Sequence, residues 1–103
     1  MSSLESKIQA DFLKWIEKQV GVWIVKYPGG IFGKTGTPDV ILCVQGKFVA
    51  IEMKKLDGYR RKMQEYQQKK IRSSGGICEF CDTLESAKEL VISVMEGSYV
   101  CVR

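Results

Sequence analysis

Residues 36–54 read GTPDVILCVQGKFVAIEMK, and this stretch decides the fold. Two runs in it, 39–44 and 47–54, are rich in the residues that favour β-strands. They are joined by Gln45-Gly46, a two-residue connection with glycine in second place, as a primed hairpin turn prefers. The sequence therefore predicts a β-hairpin in the middle of the chain.

The register of this hairpin follows from the length of its turn. Because the turn has two residues, Val44 pairs with Lys47, and cross-strand partners have residue numbers that add to 91. Asp39 then lies directly opposite Glu52, with Cβ atoms about 4.5–5.5 Å apart. Side chains alternate along a strand, so Lys54 is expected on the same face. The sequence thus predicts two carboxylates and one ammonium group together on one face of a sheet.

Two facing carboxylates destabilise a sheet unless a cation lies between them or one of them is protonated. Oxygen ligands suit a hard ion, Mg²⁺ or Mn²⁺, which coordinates substrate phosphate oxygens as well. Lys54 beside such a phosphate could orient the nucleophile or neutralise charge that develops in the transition state. The alternative interpretation is a turn aspartate followed by an ordinary edge-strand Glu/Lys pair.

Apolar periodicity outside the hairpin predicts the remaining elements. The predicted elements are helices over 3–19, 60–73 and 83–95 and strands over 22–25, 77–81 and 99–102. Thr83 is expected to cap the third helix only in part, because Ser86 stands where a capping box prefers Glu or Gln. On the second helix, the residues expected to face inward are Met63, Tyr66, Lys70 and Ile71. The prediction is one α/β domain over 1–103, ordered α-β-β-β-α-β-α before the last short strand.

Charge is concentrated in one segment of the chain. The net charge is +4, but residues 54–72 hold eight Lys and Arg against two Asp and Glu, a local charge of +6. This segment is a candidate phosphate-binding surface, and a solvated basic helix is the alternative. Five side chains are the expected nucleic-acid contacts: Lys34, Lys55, Arg60, Arg61 and Lys62.

The absence of histidine and the positions of the cysteines exclude several kinds of catalytic and metal site. Without histidine there is no Ser/His or Cys/His nucleophilic pair and no imidazole-ligated zinc. The four cysteines, Cys43, Cys78, Cys81 and Cys101, do not have the spacing of a zinc ribbon, so buried structural thiols in a reducing compartment are expected. No apolar run is long enough for a membrane helix, and the first residues do not resemble a signal peptide. A cytoplasmic protein without membrane contact is predicted.

The glycine-rich stretch 29–35 superficially suggests a nucleotide-binding P-loop. Pro28 occupies the place of the first glycine of that motif, and Gly36-Thr37-Pro38 prevents the helix that must follow it. A loop that brings Lys34 to a substrate phosphate, or a plain connector, is expected instead.

Three short motifs occur in a characteristic order: GTPD at 36–39, EMK at 52–54, and a glutamine in the following helix, Gln64. Their order and spacing resemble the VRR-NUC (virus-type replication-repair nuclease) domain of the PD-(D/E)XK nuclease superfamily, in a standalone phage or bacterial form. The resemblance implies a restriction-endonuclease-like α/β core with a mixed central sheet flanked by helices.

The resemblance also implies roles for individual residues. The implied ligands of the divalent ion are Asp39, Glu52, the carbonyl of Met53, and Glu5 of the first helix. The implied further catalytic groups are Lys54 and Gln64, with Gln67 as the alternative to Gln64. The activity implied is Mg²⁺-dependent hydrolysis of DNA phosphodiesters, in the manner of a four-way (Holliday) junction resolvase with a role in DNA repair.

Symmetric cutting of a junction needs two active sites, so a homodimer on branched DNA is expected. The alternatives are a DNA-binding module of the same fold that does not cleave, and an interaction protein whose acidic pair binds a structural cation. A phage-encoded protein of this kind would act in the host cytoplasm.

Overall fold

The computed structural model describes residues 4–25, 38–54 and 57–101, with side chains for all of them except 4–6 and 25. Three helices and four strands alternate along the chain. In order they are α1 (Leu4–Ile16), β1 (Val22–Val25), β2 (Val40–Val44), β3 (Lys47–Glu52), α2 (Gly58–Ser73), β4 (Ile77–Phe80) and α3 (Leu84–Glu96). The α/β class and the order of these seven elements agree with the prediction from sequence.

The four strands form one mixed sheet in the order β1-β2-β3-β4. The β1–β2 and β2–β3 pairs are antiparallel, whereas β3 and β4 are parallel. Val40 pairs with Ile51 and Val44 with Lys47, so the register predicted from the turn is confirmed. Gln45 and Gly46 have φ values of 49° and 85°, the two left-handed conformations of a type I′ turn.

The hydrophobic core lies between the sheet and the helices α1 and α3. Alternate residues of β2 and β3 supply one side of it, and Phe12, Ile16 and Val91 supply the other. On the opposite face, α2 contacts β4 and covers the half of the sheet that contains β3 and β4. The last four residues of β3 are therefore all buried, whichever face their side chains are on. In a strand with one face open to solvent, buried and exposed side chains would alternate.

Helix α3 has a capping box at its N-terminus and a glycine cap at its C-terminus. Thr83 Oγ1 accepts a hydrogen bond of 3.0 Å from the Ser86 N–H, and Ser86 Oγ accepts one of 3.3 Å from the Thr83 N–H. Serine thus closes the capping box in place of a longer side chain, and the expectation of a partial cap is wrong. Gly97 ends the helix at φ 76°, where a side chain would be strained.

The structure overturns several other expectations. Tyr99, Val100 and Cys101 do not form a strand. Tyr99 instead packs against the core and donates a hydrogen bond to Glu79. Cys43 and Cys101 are exposed, whereas the two other cysteines are buried as expected.

The expected orientation of helix α2 is right in part. Met63 and Ile71 are half-buried as expected, whereas Tyr66 and Lys70 are exposed. The half-buried, inward-facing residues are Met63, Gln64, Gln67, Gln68, Ile71 and Arg72. None of the helices in the described ranges combines the length and the hydropathy needed to cross a membrane.

Candidate active site

The two carboxylates lie where the first and last residues of the hairpin meet. Asp39 directly precedes β2, and Glu52 is the last residue of β3. Continuing the observed pairing of Val40 with Ile51 by one residue places Asp39 opposite Glu52. The two groups also interact electrostatically, because Asp39 raises the pKa of Glu52. The structure therefore brings together the acidic pair that the turn length predicted.

Asp39 is held in place by the backbone that follows β3. Its Oδ2 accepts hydrogen bonds from the N–H groups of Met53, at 2.7 Å, and Lys54, at 3.0 Å. Two N–H donors on one oxygen stabilise the ionised carboxylate and fix its orientation. Within the described residues no hydrogen bond involves its Oδ1, which leaves that oxygen for another partner.

Glu52 is buried, with only 3% of its surface exposed. Its Oε2 accepts a weak hydrogen bond from the Cys78 thiol, at an S···O distance of 3.9 Å. Its Oε1 is also buried and has no hydrogen-bond partner in the described part of the chain. A buried carboxylate oxygen without a partner is costly, and such atoms call for an explanation such as a bound ion.

Burial raises the pKa of Glu52 to about 7. The nearby Gln64 amide opposes this rise, and the Asp39 carboxylate adds to it. Burial, with the negative charge of Glu52 close by, raises the pKa of the Cys78 thiol to about 12. Cys78 is thus a neutral donor to Glu52 at physiological pH, whereas Glu52 is divided between its two protonation states.

The space next to Glu52 is a cavity of about 280 Å³ beneath α2. Its lining consists of Glu52, Arg61, Gln64, Glu65, Gln68 and Phe80. The sequence predicted that the carboxylates would share one face of the sheet, but it did not predict that α2 would cover Glu52 on that face. A cation or a phosphate would reach Glu52 through this cavity.

Gln64 connects α2 to the end of β3. Its Nε2 donates a hydrogen bond of 2.9 Å to the carbonyl oxygen of Lys54. Gln67 is half-buried on the same helix but does not line the cavity. The structure therefore places Gln64, and not its rival Gln67, beside Glu52.

Lys54 and Met53 lie just beyond the end of β3. Lys54 is exposed, and its side chain is free of ion pairs within the described residues. The Met53 side chain is buried in the core, opposite the predicted site. The carbonyl of Met53 as a ligand stays a prediction.

The predicted nucleic-acid contacts fall into two groups. Arg60, Arg61 and Lys62 are exposed in the first turns of α2, and Arg61 forms an ion pair of 3.6 Å with Glu65. Lys34, Lys55 and the side chain of Glu5 lie outside the described part of the structure. For these three the predictions stay predictions.

Four residues of the site were not foreseen from the sequence: Cys78, Phe80, Glu65 and Gln68. The parallel β3–β4 pairing brings the first two to Glu52, since Ala50 pairs with Cys78 and Glu52 with Phe80. No turn connects those strands, so no local signal fixes their register. Gln68 could have been found, because it follows Gln64 by one helical turn.

The donor set fits a hard cation, since carboxylate oxygens are what Mg²⁺ and Mn²⁺ prefer. No cluster of three or more Asp, Glu, His or Cys side chains occurs among the residues with described side chains. Comparisons with protein-family models, curated proteins and solved structures found no match to this chain.

Proposed function

We propose that the protein is a Mg²⁺-dependent endonuclease that hydrolyses DNA phosphodiesters on a PD-(D/E)XK-like core of the VRR-NUC type. The observation that carries this proposal is the buried Oε1 of Glu52, which has no partner among the described residues and lies beside Asp39. A divalent cation shared by the two carboxylates would satisfy this oxygen and remove the repulsion between them.

The residues fit such a cation, because each carboxylate has one oxygen engaged by the protein and one available. Asp39 Oδ2 is bound to backbone N–H groups, and Glu52 Oε2 to the Cys78 thiol. A cation bound there would polarise the phosphate and favour ionisation of the attacking water. These engaged oxygens would fix the orientation of both ligands.

The chain's own residues would supply the rest of the chemistry. In hydrolysis the water oxygen bonds to phosphorus, the bond from phosphorus to one sugar oxygen breaks, and a proton passes to that leaving oxygen. The exposed ammonium group of Lys54 would neutralise charge on the phosphoryl oxygens as this happens. Gln64 would hold the Lys54 backbone in place through its carbonyl oxygen.

The basic surface of α2 supports the proposal of a DNA substrate. Arg60, Arg61 and Lys62 are exposed in the first turns of α2, the helix that covers the cavity, and would contact the phosphate backbone with little readout of bases. We propose branched DNA, a four-way junction above all, cut by a homodimer that provides two sites.

A second candidate function is DNA binding without cleavage. The burial of Glu52 and its pKa near 7 favour it, because a neutral Glu52 needs no cation to remain buried. The two candidates share the basic surface and differ only in whether Glu52 and Asp39 take up a metal ion.

A cleavage assay separates them. The purified protein is incubated with labelled four-way junctions, flaps and nicked duplexes in Mg²⁺ or in a chelator, and we expect cleavage in Mg²⁺ alone. Asp39→Asn, which keeps one side-chain oxygen for the backbone bonds, and Lys54→Ala should each lower the rate at least about 100-fold. Glu96→Ala, exposed at the end of α3, and Lys47→Ala, exposed at the opposite end of β3 from Glu52, should cut like the parent.

Parent-like cleavage by Asp39→Asn or Lys54→Ala would show that the catalytic assignment is wrong. Binding of junctions without cleavage in either Mg²⁺ or Mn²⁺ would establish the DNA-binding module instead.

A further inference from the structure

The outward side of α2 carries a stripe of alternating aromatic and basic residues. Tyr59, Lys62, Tyr66 and Lys69 follow one another at intervals of three, four and three positions. On an α-helix these intervals place all four on one side. The half-buried residues of α2, Met63 and Ile71 among them, lie on the side that faces the sheet. We refer to Tyr59, Lys62, Tyr66 and Lys69 as the outer stripe.

The two tyrosines of the outer stripe do not support the fold. Tyr59 is 71% exposed and Tyr66 is 52% exposed. Neither hydroxyl makes a hydrogen bond within the described residues. Their rings are accessible on a helix that buries none of its own side chains completely.

The cations near these rings are also uncompensated. Two of the six basic residues of α2 are neutralised, because Arg61 pairs with Glu65 and Arg72 with Glu79. The other four have no ion pair within the described residues: Arg60, Lys62, Lys69 and Lys70. Positive charge without internal partners, interleaved with exposed aromatic rings, is the combination that binds single-stranded nucleic acid.

We propose that the outer stripe binds an unpaired DNA strand, whose bases stack on Tyr59 and Tyr66 and whose phosphates contact Lys62 and Lys69. The two tyrosines are seven residues apart, about 10 Å along the helix. This separation matches about three stacked nucleotides at 3.4 Å each. Stacking tolerates any base, so the outer stripe would bind single strands without sequence preference.

This inference rests on the DNA-binding part of the proposed function and specifies its substrate. The cavity at Glu52 and the outer stripe lie on different sides of α2, a helix about 10–12 Å wide with its side chains. A duplex strand at the cavity and an unpaired strand on the outer stripe could therefore be bound together. The preferred substrate would carry unpaired nucleotides beside the phosphodiester that is cut, as flaps and open junctions do.

The test measures binding in a chelator, so that cleavage plays no part. Fluorescence anisotropy with a labelled 12-nucleotide single strand and a blunt duplex of the same length gives both affinities. The double variant Y59A/Y66A should bind the single strand at least about tenfold more weakly and the duplex within about twofold of the parent. Y59F/Y66F should bind like the parent, because phenylalanine stacks equally well. Trp23→Ala removes an exposed aromatic ring from the sheet and should change neither affinity.

The lysines are tested by salt dependence. K62A/K69A should reduce the slope of log affinity against log salt by about 1.4 for the single strand, from about 0.7 for each lost phosphate contact. Lys47→Ala, on the exposed hairpin turn, should leave the slope unchanged.

Equal single-strand affinities of Y59A/Y66A and the parent would overturn the inference. An equal loss of duplex and single-strand binding in Y59A/Y66A would overturn it as well. So would a Y59A/Y66A variant that binds DNA like the parent but no longer binds phosphatidylserine vesicles, because the outer stripe would then be a membrane-binding surface. If no substrate is cut in Mg²⁺ but the tyrosine-dependent single-strand binding is present, the outer stripe stands and the proposed cleavage fails.

Discussion

Glu52 makes the metal-free protein sensitive to pH. Its pKa is about 7 in the folded chain, against 4.5 for an ordinary glutamate. Below pH 4.5 the carboxyl is protonated in both the folded and unfolded states and contributes nothing. Between pH 4.5 and 7 the unfolded chain releases the proton while the folded chain keeps it, so stability falls as pH rises. Above pH 7 this loss is complete, and binding of a cation would reverse it.

Replacing Glu52 by glutamine tests both the loss of stability when Glu52 ionises and the binding of a cation to it. Glu52→Gln cannot ionise, so we expect it to raise the melting temperature of the metal-free protein by roughly 15–25 °C at pH 8 and to change it little at pH 4.5. The same variant should lose the rise in melting temperature that Mg²⁺ gives the parent, and it should not cleave. Calorimetry at the two pH values, with and without Mg²⁺, measures all of these.

Glu79→Gln serves as the control, since Glu79 is paired with Arg72 and is not among the residues that line the cavity. It should not become more stable at pH 8. A parent-like response of Glu52→Gln to Mg²⁺ would show that the ion binds elsewhere.

At the level of single residues, the sequence predicts that Asp39 lies opposite Glu52, but it does not predict which groups surround Glu52. A two-residue turn was enough to place Asp39 opposite Glu52, because strand register is set by a local connection. The burial of Glu52 depends on α2, which arrives from the following segment of the chain. The partner of Oε2, Cys78, comes from a parallel strand whose register has no local signal.

Among the elements, α2 is attached to the rest of the molecule by its polar side chains. It buries no side chain completely, and its N-cap residue, Asp57, makes no side-chain capping bond. Gln64 binds the Lys54 carbonyl near the start of the helix. Near its end, Arg72 Nε donates to the Cys78 carbonyl at 3.0 Å and Nη2 donates to Glu79 at 3.1 Å. A helix held in this way should open locally more readily than α3.

Removal of the arginine contact should therefore loosen α2 selectively. We expect Arg72→Ala to lower the free energy of unfolding by about 1–3 kcal/mol, since it leaves half-buried acceptors unpaired. The amides of α2 should then exchange with deuterium faster, while those of α3 change little. Hydrogen–deuterium exchange followed by mass spectrometry measures this difference between helices.

Arg60→Ala is the matched control, because Arg60 is exposed on the same helix without an ion pair in the described part of the chain. It should leave both stability and exchange unchanged. Uniform acceleration across α2 and α3 in Arg72→Ala would mean that α2 does not open as a separate unit.

Some elements of the fold are specified by nearby residues alone, and others depend on contacts with distant parts of the chain. The hairpin, both ends of α3 and the order of the seven elements follow from turns, caps and periodicity that act within a few residues. The orientation of α2 was right at Met63 and Ile71 but wrong at Tyr66 and Lys70. Two apolar residues in an otherwise polar helix are too few to define its buried side. The predicted last strand was wrong because Tyr99 finds its partners in the core and in Glu79 instead of in the sheet.

For the whole molecule, the distribution of charge matters more than its sum. The net charge of +4 is modest, but residues 54–72 carry +6, so the remainder of the chain is acidic on balance. Six of the eight cations of this segment lie on α2, the helix that covers the cavity at Glu52. A polyanion would therefore approach the α2 side in preference to the α1 side, where acidic and basic residues are equal in number.

This asymmetry predicts which lysines and arginines control the binding of duplex DNA. R60A/R61A should weaken binding and lower the slope of log affinity against log salt by up to about 1.8, from about 0.9 for each phosphate contact. The ion pair of Arg61 with Glu65 already offsets part of one charge, so a smaller decrease is expected if that pair persists on DNA.

K14A/K18A removes the same charge from exposed positions in and after α1 and should leave the slope nearly unchanged. Anisotropy titrations from 50 to 300 mM salt, about a sixfold range, resolve the difference. Equal slopes for the two double variants would show that DNA responds to net charge alone, and α2 would then lose its assignment as the binding surface.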